Sequence, residues 1–295
     1  MPEIETSDPD IDYSQRPLPE RYKGHRVDVD AAKYQMVPWA EIWRFRELFG
    51  FLAWRDFIVR YKQTAVGIGW SLLQPLLMMI VMTIVFGYFA GLAEGSTVPY
   101  AVMVFSGVIV WQFFSQGLTN VAMSMTNNNA IVAKIYFPRL ILPASSLLVN
   151  LVDFAISMLL LVVLMIGYDV AFTWRLFCLV PLLLLAATLS FGVGTLVAAL
   201  NVRYRDFKHI LPFVVQIGLY ITPVGFSSDK VPDAWRFVYS LNPMVGVVDG
   251  FRWAILDSAT LYWPGLWISI ILTLGICYIG IRFFRSSESW FADII

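Results

Sequence analysis

"QTAVGIGWSLLQPLLMMIVMTIVFGYFAGLA" fills residues 63–93 and carries no formal charge. Roughly 20 apolar residues suffice for a helix to cross the hydrocarbon core of a bilayer. Helices in soluble cores are rarely apolar on every face over such a length. Four further uncharged runs follow, Gly95–Ala133, Leu176–Val202, Ile210–Ser228 and Ser258–Ile281. The whole chain is 58% hydrophobic and 14% charged, against roughly a quarter charged in ordinary soluble domains. The runs therefore read as membrane spans, and the fold class is an all-α integral membrane protein with no room for a large soluble domain. Six spans are expected, at about 65–90, 99–119, 141–166, 176–200, 209–226 and 265–284.

Residues 1–37 read differently. Acids, bases and prolines alternate in "MPEIETSDPDIDYSQRPLPE", which cannot bury apolar area and is expected to be a mobile cytoplasmic tail with no secretory signal. Residues 38–64 form the next unit, an interface helix before the first span. Phe51, Trp54, Phe57, Ile58 and Tyr61 fall on one helical stripe, with Arg55, Asp56, Arg60 and Lys62 off it. That pattern suits a helix lying in the membrane interface with its bases near lipid headgroups. Six charges between Arg44 and Arg60 argue against an early start of the first span.

Lysine and arginine set the orientation. With the N-terminus inside, the inner flanks hold Arg55, Arg60, Lys62, Lys134, Arg139, Arg203, Arg205, Lys208, Arg282 and Arg285, and the outer loops only Arg175, Lys230, Arg236 and Arg252. This bias puts both termini in the cytoplasm of an inner-membrane protein. Two connections are more than loops. Residues 120–140 are long and polar at their centre. Residues 227–264 contain "SLNPMVGVVDGFRWAIL", too apolar for a solvated loop and too short to cross twice. They read as a re-entrant helical hairpin before the last span, broken at Asn242-Pro243.

Several chemistries are missing. No G-x-x-x-x-G-K-[ST] phosphate loop occurs. His25 and His209 lie far apart, each without a second ligand nearby. Cys178 and Cys277 both sit in apolar runs and fit small buried hydrophobes better than a disulfide or metal site. Zero net charge offers no nucleic-acid surface. No paired-carboxylate or Ser/His/Asp site stands out. The chain is thus read as a transport protein and not an enzyme, binding no cofactor or metal itself, with its energy coming from an ion gradient or another subunit. The one acid deep in a span is Asp153, with Asn150 one turn earlier. It lies about 13–15 Å along the helix from its cytoplasmic end. Two readings stand: a proton relay, or an acid held by Asn150 or by a neighbouring arginine.

Six local patterns then coincide: "RDFIVRYKQTAVGIGWSLLQPLL" (55–77), "KIYFPRLILPAS" (134–145), "NVRYRDF" (201–207), "YITPVGF" (220–226), "LNPMVGVVDGFRWAIL" (241–256) and "ESWFADII" (288–295). In this order and topology they resemble the membrane subunits of ABC-2-type exporters, in the branch that exports O-antigen, capsular polysaccharide or teichoic acid. The resemblance covers about residues 40 to 295. It implies one transmembrane domain over 38–295, a pore made by two copies of the chain, and two ATPase subunits, with their ATP and magnesium, on the cytoplasmic face. The cargo it implies is a polysaccharide on a polyprenyl diphosphate lipid, exported outward. It implies an ATPase-coupling segment at Asn127, Asn128, Ala130, Ile131, Lys134 and Ile135, held by Arg55, Asp56 and Arg60. It implies an outer gate at Pro223, Asn242, Pro243 and Arg252.

Aromatic residues make up 16% of the chain. Flat rings stack on the apolar faces of sugars without demanding one hydrogen-bond pattern, so Tyr88, Phe89, Trp111, Phe113, Phe114 and Tyr220 are candidates to line a sugar pore. Packing against lipid or within the interfacial belt is the alternative for each. Other functions stay open at this point: an ABC-2 exporter of a small lipid or drug, a membrane-embedded glycan transferase using Asp229, Asp233, Asp249 or Asp257, and a proton-coupled carrier resting on Asp153.

Overall fold

The computed structural model describes residues 43–62, 68–94, 98–132, 137–204, 206–256 and 259–288. The tail, Lys134 and Ile135 lie outside the described residues. Helices α1 to α10 follow in order, with no strand among the described residues: α1 Arg46–Lys62, α2 Ile68–Met82, α3 Tyr100–Asn127, α4 Asn129–Val132, α5 Ile141–Gly167, α6 Leu179–Arg203, α7 Phe207–Ile221, α8 Asp233–Tyr239, α9 Pro243–Ile255 and α10 Trp263–Ser286.

Among the described residues, five helical stretches are long and apolar enough to cross a membrane: Gly69–Phe89, Tyr100–Asn127, Ile141–Gly167, Trp174–Arg203 and Trp263–Ser286. The first combines α2 with the π-helical turns Thr83–Phe89 and stops where Gly91 takes a positive φ of 66°. That left-handed conformation suits a glycine beyond a helix end. Helix α3 continues eight residues past the expected end at 119, so Asn120 to Asn127, in the connection read as more than a loop, extend the helix. The fifth expected span, 209–226, is helical only to Ile221. Its 15 residues rise about 22 Å, short of a hydrocarbon core of about 30 Å. Pro223 cannot donate to the preceding turn, and the chain leaves the helix at Thr222 with ψ of 145°.

Helix α3 is the hub. Its most apolar window is 83% buried, against 17–33% for the other four, so it packs on nearly every side while the others keep a face for lipid or a partner. Helices α5 and α6 pack against it most extensively, with α2 and α9 closing the remainder. Helix α10 lies on α6, where Gly192 lets the backbones meet: a Cβ added there would stand 2.5 Å from Cys277 Cα. Small residues at such crossings allow the close approach that drives helix association in lipid.

The interior divides into two apolar clusters. The larger joins α2, α3, α5, α6 and α9. The smaller sits at the opposite end of the bundle, around Leu52, Met125, Phe137, Ile141, Val202 and Phe284. It anchors α1, whose Leu52 is 1% exposed.

Candidate functional site

Because Leu52 fixes one face of α1, Arg55, Asp56 and Arg60, three, four and eight positions later, are turned toward α3 and α5. This differs from the periodicity reading, which set the α1 bases among headgroups. Arg55 and Arg60 turn inward, Lys62 stays exposed, and Phe51 and Trp54 of the apolar stripe are exposed at 65% and 61%. The Arg55 guanidinium donates to Asp56 and to Asn128 Oδ1, both at 2.6 Å. Asn128 in turn donates to the Ser124 carbonyl at 2.8 Å. Arg60 reaches deeper. Its Nη1 stands 2.8 Å from Asp153 Oδ2 and donates to Asn150 Oδ1 at 3.1 Å.

Asp153 also accepts from the Tyr61 hydroxyl at 2.6 Å and from Ser71 at 2.5 Å. An acid inside a span is thereby matched by one cation and two hydroxyls, the arrangement that makes such a charge tolerable. Tyr61, in the last turn of α1, has its hydroxyl pushed up to about 12 by burial and by the Asp153 carboxylate it donates to. It therefore remains a donor through the physiological range. Asn120 completes the junction by donating to Asn150 Oδ1 at 2.9 Å.

Two cavities flank this junction, and Arg60 lines both. One of about 440 Å³ lies between Arg55, Asp56 and the end of α3 at Asn127 and Asn128. The other, about 340 Å³, continues past Asp153 toward Gln74 and Gln112. In the short helix α4, Asn129 and Ala130 are exposed, while Ile131 is half-buried against the smaller cluster.

The four residues assigned by resemblance to an outer gate stand together at the other end. Asn242 caps α9, its Oδ1 accepting from Met244 N at 3.1 Å, with Pro243 as the first helical residue. Its amide donates to Thr222 Oγ1 at 3.0 Å, beside buried Pro223. Arg252 is 4% exposed. It donates to the carbonyls of Met103 at 3.3 Å, Val224 at 2.8 Å and Phe226 at 2.6 Å. Gly107 leaves the space for this: a Cβ there would meet Arg252 Nη2 at 3.2 Å. One buried guanidinium thus ties α9, the start of α3 and the turn after α7. Asp249, one turn earlier, accepts from Ser228 at 2.7 Å.

The six aromatics separate. Tyr88, Phe89 and Tyr220 are 81%, 77% and 58% exposed. Trp111, Phe113 and Phe114 are 6%, 3% and 8% exposed. Trp111 packs its ring 5.5 Å from that of Phe114, and Phe113 its ring 5.5 Å from that of Phe154. These three are buried within the chain, and Phe113 also borders the 340 Å³ cavity. Sequence reasoning missed Gln74, Gln112 and Gln116. For Gln112 and Gln116 the signal was the recurrence of Gln112, Gln116, Asn120 and Ser124 every fourth residue along one helix. Among the described residues no group of His, Cys, Asp or Glu could hold a metal ion.

Comparison with known proteins agrees with this architecture. A family model described as "ABC-2 type transporter" matches residues 47–256, from the start of α1 to the end of α9. The O-antigen export system permease protein RfbA of Klebsiella pneumoniae is 26% identical over 82% of this chain and 92% of its own. RfbA of Myxococcus xanthus is 27% identical over 72% and 81%. The polysialic acid transport protein KpsM of Escherichia coli is 21% identical over 79% and 91%. With most of the chain matched, and with its long apolar helices packed around α3, this multi-pass membrane protein belongs to the ABC-2 type transporter family.

Proposed function

We propose that the chain is the pore-forming permease subunit of an ATP-driven exporter that moves a polyprenyl diphosphate-linked polysaccharide from the cytoplasmic to the outer side of the inner membrane. The observation that carries this reading is the match, over 72–82% of this chain, to permeases and a transport protein named for O-antigen and polysialic acid export. Two copies of the chain form the pore, and two ATPase subunits bind at the cytoplasmic face. Helix α7 together with Thr222–Phe226 makes the fifth of six spans, and α8 and α9 make a re-entrant hairpin on the outer side. Both termini are then cytoplasmic, and residues 38–295 form one transmembrane domain.

Under this reading the α3–α4 corner receives the ATPase. Arg55 bonded to Asn128 and Arg60 bonded to Asn150 support a rigid connection between that corner and the spans. Packed contacts of this kind pass on a rigid-body movement because they resist compression. The Arg252 cluster is the fixed side of the outer gate. Tyr88, Phe89 and Tyr220 face the pore or the second copy.

Loss of this chain tests the reading. Lipid-linked polymer is expected to accumulate inside the cell while surface polysaccharide disappears, with both effects reversed by resupply of the chain together with its ATPase. Unchanged surface polysaccharide, or saturable ATP hydrolysis by the purified lone chain, would overturn it.

A further inference from the structure

The face of α3 turned toward α1 and α5 carries Gln112, Gln116, Asn120 and Ser124. These span about 18 Å of helix. Opposite them α5 carries Ser146, Asn150, Asp153 and Ser157. Two polar stripes facing each other inside candidate spans form a hydrogen-bonding track, lined by Arg55, Asp56 and Arg60 of α1 and by Trp70, Ser71 and Gln74 of α2.

Most of the track is satisfied internally. Asn120 bonds Asn150, Gln116 accepts from Arg60 at 3.5 Å, and Ser157 donates to the Asp153 carbonyl at 3.0 Å. The deep end differs. Gln74 and Gln112 line the 340 Å³ cavity, and neither amide makes a side-chain hydrogen bond among the described residues. Gln74 is exposed and Gln112 half-buried, so both amides are open to a polar guest that enters the cavity. At the mouth stands Trp70, 56% exposed.

Charge decides which polar guest fits. The formal charges among the lining residues are Arg60 and Asp153, and they are paired at 2.8 Å. A diphosphate or lipid phosphate calls for surplus cations or a bidentate arginine, and this lining has none to spare. A neutral hydroxylated ring needs the opposite: amides that both donate and accept, beside an amphipathic indole. The volume lies at the lower end of the roughly 300–1,000 Å³ typical of small-ligand pockets, which suits one sugar unit rather than several.

We propose that this cavity is a carbohydrate subsite, holding one uncharged sugar residue of the cargo between the Trp70 indole and the Gln74 and Gln112 amides. The assignment rests on the exporter reading above and adds to it where, within a single subunit, the glycan is held. Because the site is neutral and its amides serve either hydrogen-bond role, successive sugars exchange places on it without a fixed sequence.

The test uses the assembled exporter, permease with ATPase, in cells making their own lipid-linked polymer. A benzophenone amino acid replaces Gln74, Tyr220 or, at an exposed position of α5 away from the cavity, Leu159. After irradiation the permease is purified and probed by periodate staining for carbohydrate and by radiolabelled phospholipid. Carbohydrate is expected on the Gln74 product and absent from Leu159. In parallel, Gln112→Leu is expected to slow export at least tenfold with normal complex assembly, and Gln112→Asn to restore most of it. Phospholipid without carbohydrate at position 74 would overturn the subsite in favour of a lipid site. Carbohydrate at 220 but not at 74 would overturn it and leave the exporter standing. No adduct at 74 with full export by Gln112→Leu would reduce the cavity to solvent. Carbohydrate at none of the positions, with surface polysaccharide unaffected by loss of the chain, would remove both readings.

Discussion

Arg60 and Asp153 belong to helices that approach each other only in the folded chain, and their side chains remain 32% and 14% exposed to the cavity between them. Fully buried pairs lose about 3–5 kcal/mol when one partner is removed, whereas exposed pairs lose under about 1. The intermediate exposure places Arg60→Met at about 1–3 kcal/mol of destabilisation. Adding Asp153→Asn to it is expected to recover most of the loss, because the stranded charge goes with its partner. A denaturation cycle in mild detergent measures this; strictly additive losses would show that the pair is not coupled. The need for a partner was legible from sequence, since an acid within a span demands one. Which arginine supplies it was not. Arg60 lies off the apolar stripe of α1, and only the seating of Leu52 in the smaller cluster turns that polar side inward. The polar stripe of Gln112 was legible as well, but a lone glutamine in an apolar run, such as Gln74, does not announce that a cavity waits beside it.

Among elements, the crossing of α6 and α10 depends on the missing side chain of Gly192. Gly192→Ala puts a methyl into the Cys277 backbone, which cannot yield as a side-chain tip does. Overpacking of this kind costs about 1–3 kcal/mol, and a lowered melting temperature in detergent with unchanged helix content is the expected result. Helix α4 offers a complementary test. Ile131 is half-buried in the smaller cluster, so a charge there would damage folding as well as any contact. Ala130 is exposed. Ala130→Asp is therefore expected to leave the permease folded and dimeric while abolishing co-purification of the ATPase, with Ala130→Ser as the silent control. Retained co-purification would move the coupling contact away from α4. Helix existence was legible throughout from the uncharged runs. Helix ends were less so: α3 runs on to Asn127 because its polar stripe finds partners on α1 and α5 instead of water, and such tertiary partners leave no local sign.

At the scale of the molecule, orientation follows from counting charges near the spans and is open to a direct check. In a chain with Cys178 and Cys277 replaced by alanine, single cysteines at exposed Asn129 and Ser286 are expected to react with an impermeant maleimide only from the cytoplasmic side. Cysteines at Lys230 and Asp233 are expected to react only from outside. Outside labelling at Asn129 would reverse the orientation or change the number of crossings. Charge bias carries the direction of a membrane protein well, but it says nothing of which helix becomes the centre. That α3 takes this place follows from surfaces on four neighbouring helices at once.

The junction of α1 with α5 also bears on how the chain is made. The ribosome delivers α1 long before α5, and an aspartate near the middle of an inserting helix opposes entry into the bilayer by about 2.5–3.5 kcal/mol. With Arg60 already lying at the surface, that penalty is offset at the moment Asp153 arrives, by a segment of the same chain waiting for it. A chain synthesised without α1 is therefore expected to leave α5 partly outside the bilayer, as read by glycosylation tags placed after Gly167.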